Sequence, residues 1–458
     1  MSVLVLELND AGLIAADEGG ILLESPGFAV VEPKRTIVGE PAWHSARLNP
    51  RWTNNRFWDE LSLEPVRNPT ARIRSHGDLV FAHLDDLRRQ LDAGDREVVF
   101  AVPGNFGSDQ LALLLGIARE CGLQATGLVD AAVAAATQAA VSGDLLHVDI
   151  LLHRVVLTQI RHQDRLTRVG VDQIDKVGLA ALRESWVDLI ADTYVGNTRF
   201  DPLHRAESEQ ALYDRLPAWL SELEQADSTL LEMQSGAKTH RVTLTRDSLL
   251  GHVREQYGII EDQLRAIQDV HPAQVLVTER IARLPGLTAA IARAAGSAPS
   301  ILEQDATARG VLAHLDQIRS EGAALSFITA LPAPSPRMGA RQEREITAPI
   351  ETRGPETPLP THVLHRARAY PIGSVPCEVG SNASGLAIGR PLNGIAASCS
   401  IFARRQDIVL EKHETGQTFV NDEPVAGETT LELGDRVRVG VESGDVLELI
   451  IVVDAGGA

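Results

Sequence analysis

Apolar residues open the chain in an unbroken run, VLVLEL at 3–8, and recur in two short blocks, LIAAD and ILLE, after the turn sequence NDAG. Such runs predict strands, and their close spacing predicts an antiparallel meander. The period then changes. Leu79, Val80, Leu84, Leu87 and Leu91 fall at helical spacing within residues 77–92. A strand at 98–102 runs into Pro103, Gly104, Asn105 and Phe106. An amphipathic helix, Gly122, a short strand and an alanine-rich helix over 131–140 follow. A second strand pair, LLHVDILLHRVVLTQIRH, starts near residue 145, and residues 176–232 read as helical and charged. THRVTLTR (239–246) reads as a strand, with Thr245 capping a long helix over 247–268. The strand QVLVTE (274–279), a helix over 285–294 and a helix ending ILEQDATARGVLAHL (301–315) complete the region. A meander followed by helices thus occurs twice, which predicts two related α/β halves facing a cleft.

Residues 331–361 break the pattern. They hold seven prolines, many charged or small residues and little apolar content, and read as a linker. Beyond residue 362 short alternating runs return between Gly, Asn and Asp turns: GLAIGR, QDIVLEKH, QTFVN, TTLELGD, RVRVG and VLELIIVVD. That spacing predicts an all-β sandwich over 362–458.

Composition narrows the function classes. With 43 basic and 62 acidic residues the formal charge is −19. This disfavours broad binding to nucleic acid or an anionic membrane and leaves room only for a local basic patch. Cys121, Cys377 and Cys399 show neither metal-ligand spacing nor disulfide density, which fits a reducing compartment. The start, MSVLVLELND, lacks the features of a signal peptide, and no run reaches about 18 apolar residues. A cytoplasmic location is the expectation. No Ser-His-Asp, HExxH or CxxC pattern appears, so neither a catalytic set nor a metal set is assigned.

Several landmarks fall in an order that resembles the ATPase domain of the actin and DnaK-type heat-shock chaperone superfamily. The strand ending in Val102, Pro103 and Phe106 resembles that family's Val-Pro-x-x-Phe step. VGEPAWHSARLNP (38–50), VTLTRDSL, QVLVTERIARLPGL (274–287, with Arg283 and Pro285) and EQDATARGV (303–311, with Gly310) resemble further landmarks. The resemblance covers about 1–330 and implies a two-lobed actin-like fold of duplicated ribonuclease-H-like halves. It also implies a cleft for ATP and magnesium.

The chemistry of that cleft departs from the family. Phosphate-holding hairpins need glycines, because only glycine lets phosphate approach the backbone N–H groups closely. The first hairpin here reads Glu7, Leu8, Asn9, Asp10, Ala11, and the second Asp149, Ile150, Leu151, Leu152, His153, Arg154. Thr278 and Glu279 stand where a Gly-Gly pair is usual, and NNRFWDELS (54–62) offers no lysine. Leu151 and Leu152 are expected to project where phosphate would lie, and Glu7 and Asp10 to repel it. Asp130 matches the acidic position that orients water in the family. Glu7, Asp130 and Asp149 are either a metal site or, as the simpler reading, hydrogen-bonded carboxylates. His153 and Arg154 are either an anion site or one face of a hairpin. Cys121 reads as a small buried hydrophobe, and the alanine helix as tight packing of a helix on a sheet.

The segment from GLAIGRPLNG to GDRVRVG resembles a forkhead-associated domain. Gly389, Arg390, Ser398, Thr418, Phe419, Val420, Asn421, Gly434 and Asp435 match its pattern. The resemblance implies phosphothreonine recognition, with Arg390 and Ser398 as the guanidinium and hydroxyl toward phosphate. Ile401 stands at the family's histidine position, and Gly416 and Gln417 replace its Asn-Gly pair. The chain is therefore expected to be a non-catalytic interaction protein: a pseudo-ATPase domain (1–330), a linker (331–361) and a protein-binding sandwich (362–458). Two alternatives stay open: an ATP-dependent chaperone-like enzyme with an atypical cleft, and an adaptor for a phosphothreonine protein.

Overall fold

The computed structural model describes residues 3–94, 96–141, 143–320, 325–334, 360, 362–365, 368–372, 376–382, 385–389, 392, 397–404, 407–413, 417–421, 423–425, 427–431, 433, 435–439 and 446–450. The chain is mixed α/β with a strand-rich C-terminal region, and it divides into two compact units, Met1–Arg341 and Gln342–Ala458.

The first unit opens with β1 (Leu4–Glu7), β2 (Leu13–Asp17) and β3 (Gly20–Ser25). An insertion follows: β4 (Ala29–Val31), β5 (Thr36–Val38), the short α1 (Glu40–Trp43) and β6 (Thr53–Asn54). Then come α2 (His76–Gln90), β7 (Glu97–Val102), α3 (Ser108–Glu120), β8 (Gln124–Asp130) and α4 (Ala131–Ala136). The second half starts again with β9 (Leu145–Ile150), β10 (Arg154–His162) and β11 (Arg165–Asp175). Its insertion holds α5 (Leu179–Thr198), α6 (Ala206–Gln225), the hairpin β12 (Ser228–Ser235) and β13 (Lys238–Thr245), and α7 (Arg246–His252). It closes with α8 (Arg254–Val270), β14 (Gln274–Val277), α9 (Glu279–Ala282), α10 (Leu287–Ala295), β15 (Ser300–Ile301) and α11 (Ala306–Ala313). After α12 (Leu315–Ile318), β16 (Phe327–Ile328) and β17 (Ala330–Pro332) return to the sheets. Leu331 and Pro332, read from composition as the start of the linker, therefore belong to a strand; residues 335–359 lie outside the described residues.

The two sheets share one plan. The first has the order β3-β2-β1-β7-β8-β16 and the second β11-β10-β9-β14-β15, with β17 beyond β11. In each, three antiparallel strands are followed by two that run parallel to the first. The unbroken apolar runs follow from this plan, because the central strands are covered on both faces. Leu4 and Leu6 of β1 join Val98 and Phe100 in the core beneath α2 and α3. Val5, Val99 and Ala101 point the other way, into a layer shared with α4, α11 and Leu145 of the second sheet. The opposite face of the second sheet supports the third core, with Trp186, Tyr194 and Leu264.

Three expectations are revised. Residues 228–235 are a strand, not helix: Leu231 and Met233 point inward at period two, and Gly236 (φ 60) turns the chain into β13. The long helix after Thr245 is two, broken at Val253, where Gly251 and a β-branched residue lower helix propensity together. The alanine helix spans only Ala131–Ala136 and packs on a helix as well as a sheet, because α11 lies against it.

In the second unit, one antiparallel sheet runs in the order β19 (Arg368–Pro371), β18 (His362–His365), β28 (Val446–Ile450), β27 (Arg436–Val439), β24 (Thr418–Val420) and β25 (Glu423–Pro424). The other runs β21 (Gly385–Gly389), β20 (Cys377–Asn382), β22 (Ala397–Arg404), β23 (Asp407–Lys412) and β26 (Glu428–Leu431). Val379, Cys399 and Leu410 of one sheet meet Val363, Val437 and Leu447 of the other in a single core.

Candidate functional site

The matching ends of β1 and β9 face each other, and the residues singled out in the two hairpins meet there. β1 ends at Glu7, which is 5% exposed. The chain then turns on Asn9, whose Oδ1 accepts from the Ala11 N–H at 2.9 Å. The Asn9 Nδ2 donates to Asp149 Oδ2 at 2.8 Å and to the Ile150 carbonyl at 3.1 Å. Asp149 Oδ1 accepts from the Thr278 hydroxyl at 2.7 Å and from the Ile150 N–H at 2.9 Å. Asn9, Asp149 and Thr278 thus form one connected set, with Glu7 at its edge.

Its centre is a residue that the sequence reading missed. Arg280, on the first turn of α9, donates to Glu7 Oε1 at 2.7 Å and to the Gly12 carbonyl at 2.9 Å, and lies 3.9 Å from Asp149 Oδ2. Burial acts to lower its pKa, but Glu7 and Asp149 outweigh burial and hold the guanidinium more firmly charged than usual. The sequence shows only a cation two residues after Thr278, without naming its partners on the distant hairpins. The expected repulsion from Glu7 is therefore neutralised inside the protein. Glu279, beside it, turns outward to Arg283 at 2.5 Å.

Space in this region is small. The cavity beside Glu7, Thr278 and Arg280 measures about 10 Å³, and the one beside Asn9, His147 and Asp149 about 20 Å³. Each suits roughly one water molecule. Leu151 and Leu152, expected to project into phosphate space, are buried. The Leu152 N–H donates to Asp10 Oδ1 at 2.7 Å, so this backbone already faces a carboxyl group within the protein.

The insertions of the two halves also meet. Trp43 meets Tyr213 of α6 edge-on at 6.0 Å, Arg47 stacks on the same ring at 3.7 Å, and the Arg47 N–H donates to Gln210 Oε1 at 2.8 Å. His44 contacts Asp214 at 2.8 Å. His153 and Arg154 also have internal partners, the Asn55 carbonyl at 2.8 Å and Asp59 at 2.5 Å.

Asp130 stands apart from this set. It caps α4 through the Val133 N–H at 3.0 Å and pairs with Arg168 at 2.8 Å. Burial pushes its carboxyl pKa up, against the opposing pull of Arg168 and the Val133 N–H. Glu7, Asp130 and Asp149 therefore do not converge, and no group of metal-binding side chains occurs among the described residues. Cys121 is buried, and burial pushes its thiol up to about 12.

His83 and Ser25 are 2.8 Å apart and buried, a pairing that invites a nucleophilic reading. Trp58 excludes it. The indole N–H donates to His83 Nδ1 at 3.0 Å, so Nε2 carries the proton and donates to Ser25 Oγ. The histidine has no lone pair left to accept the serine proton.

Two buried groups give the fold opposing pH dependence. Burial pushes Asp10 up to about 7, with the Leu152 N–H opposing. It pushes His83 down to about 3. Asp10, raised, contributes stability that is full below its unfolded value near 3.8 and is lost as pH rises through 7. His83, depressed, contributes stability that is full above about 6.5 and is lost as pH falls towards 3. Asp10→Asn keeps an acceptor for Leu152 and removes the first slope. The variant should therefore gain stability over the wild type as pH rises from 4 to 8, by up to about 1.4 kcal/mol per unit. Parallel urea titrations at pH 4, 6 and 8 measure this, and a constant difference would refute the assignment.

In the C-terminal unit, Ser398 is buried on β22, and Arg390 lies outside the described residues. Asn421 adopts a left-handed conformation (φ 51), donates to Asp435 Oδ1 at 2.7 Å and accepts from the Arg436 N–H at 3.0 Å. Two residues that carried the resemblance there therefore build a turn. Among the described residues of the whole chain, no helix is long and apolar enough to cross a membrane. No family model matches the chain, and no curated protein matches it.

Proposed function

We propose that the first unit is a degenerate member of the actin and heat-shock chaperone ATPase fold, and that the protein works as a non-catalytic scaffold. Its strand-rich C-terminal unit, a forkhead-associated-like sandwich in this reading, serves as a protein-binding module. The repeated strand plan, three antiparallel strands and then two parallel ones, supports the fold assignment. The observation that carries the functional reading is Arg280. Its guanidinium takes the space between the two hairpins and forms the ion pairs that a nucleotide and its metal would otherwise make.

ATP and magnesium do not fit this arrangement. Admitting a triphosphate means breaking the Glu7–Arg280 pair, withdrawing Asp10 from Leu152 and parting Trp43 from Tyr213. The protein ligands gained would be carboxylates and leucine side chains rather than preorganised N–H donors. Calorimetric titration of the full chain with ATP and magnesium should give no saturable heat up to about millimolar nucleotide. A micromolar dissociation constant, about −8 kcal/mol, would overturn the proposal.

A further inference from the structure

A second concavity lies away from the cleft, and it is far larger, about 830 Å³. One wall is the β4–β5 hairpin with the loop at Thr70–Ile73, and the other is α2. Its base is apolar: Ile37, Val38, Ile73, Phe81 and Ala82 line it, and Phe81 is 36% exposed. Phe81 thus offers part of its ring to the groove, beside the apolar base formed by its neighbours.

The charges around it are unevenly satisfied. The carboxylates of α2 are already engaged. Asp78 accepts from the Arg74 and Ser75 N–H groups in the helix cap, Asp85 pairs with Arg88 and Arg89, and Asp86 pairs with Arg89. On the facing rim, the side chains of Lys34, Arg35 and Arg72 have no ion-pair partner among the described residues; Glu32, at the hairpin turn, is the one groove carboxylate similarly free. In a chain of formal charge −19, this one rim, with Lys34, Arg35 and Arg72 against Glu32, carries an excess of positive charge, while the α2 wall does not.

We propose that this groove docks an acidic segment of a partner protein that carries an apolar anchor side chain. The anchor fills the space over Phe81 and Ala82, and its flanking carboxylates pair with Lys34, Arg35 and Arg72. Charge complementarity selects this occupant. Nucleic acid is opposed, because a polyanion laid along the groove would also run against Asp85 and Asp86 on α2 and against Glu32 at the hairpin turn. The proposal is independent of the state of the cleft, since no residue is shared between the two places.

The test uses the full chain and a dye-labelled peptide rich in Glu and Asp around a central Phe-Leu pair, read by fluorescence anisotropy. A Lys-rich counterpart, a version with Ser-Ser at the centre and a single-stranded DNA oligonucleotide are run beside it. The acidic peptide should bind, and binding should weaken as salt rises from about 50 to about 300 mM. The double variant Arg35→Glu/Arg72→Glu should bind at least about tenfold more weakly, while Arg265→Glu, on α8, should bind as the wild type does. These rim side chains are exposed, so the variants should fold normally; matching circular dichroism spectra check it. Any of four results would overturn the proposal: no binding of the acidic peptide up to about 1 mM, equal binding of the Lys-rich or the Ser-Ser peptide, tighter binding of the oligonucleotide, or affinity unchanged by the double variant.

Discussion

Replacing Gly310 with valine should leave the first unit unable to fold, and alanine there should cost about 3 kcal/mol or more. Gly310 lies on α11 where it crosses α4. A Cβ at this position would sit 2.0 Å from the Ala134 carbonyl oxygen, 2.6 Å from its carbon and 2.8 Å from Thr137 Oγ1. Two of these atoms are backbone, so no rotamer change relieves the clash. The composition of Ala131–Ala136, all alanine but for Val133, has the same cause: small side chains let the helix lie against α11 and both sheets at once. Gly116 on α3 supplies the control. A Cβ there meets nothing within 4 Å, so Gly116→Ala should be neutral or stabilising by up to about 1 kcal/mol through helix propensity alone. Urea unfolding of the two alanine variants followed by circular dichroism measures the contrast. Equal midpoints would mean that the helices part at little cost.

Arg280→Ala should destabilise the unit by about 3–5 kcal/mol, because it leaves Glu7 buried without its cation. The loss should be reversible by design. Arg280→Met combined with Glu7→Gln removes both charges, and it should recover most of the stability, since a neutral pair of similar volume needs no ionic compensation. Arg280→Lys should recover less, because an ammonium cannot reach Glu7 and the Gly12 carbonyl in the same forked geometry. The four stabilities of the Glu7–Arg280 cycle give the coupling directly. Additive losses would show that Arg280 does not hold the two halves together through Glu7.

Much of this architecture is written in local pattern, and the parts that are not share a physical reason. β1, β2, β7 and the α2 stripe follow from apolar periodicity because each element has one burial environment along its length. The segment 228–235 misleads for the opposite reason: TLLEM has helix-compatible residues, and only pairing with β13 makes it a strand. Ser235 and Gly236 mark a turn by residue type without showing what it joins. In the cleft, the glycine-poor hairpins at Glu7–Ala11 and Asp149–Arg154 could be read directly from residue type. Arg280 could not, because its partners are 273 and 131 positions away in sequence, and only the pairing of both halves brings them within 4 Å. The tautomer of His83 is hidden in the same way: it depends on Trp58, a neighbour only once the insertion folds back on α2.

The strands β16 and β17 lie almost next to each other in the chain, yet they finish different sheets. Phe327 and Ile328 pair with Leu128 and Val129 at the edge of the first, and residues 330–332 pair with Arg165–Thr167 at the edge of the second. A chain growing from a ribosome therefore cannot complete its first half when that half has emerged. Both sheets keep a bare edge until residue 332 is clear of the exit tunnel, and the contacts that finish them span some 160 to 200 residues of sequence. At ordinary synthesis rates that interval lasts on the order of ten seconds or more, during which nascent chains on neighbouring ribosomes can pair edge to edge.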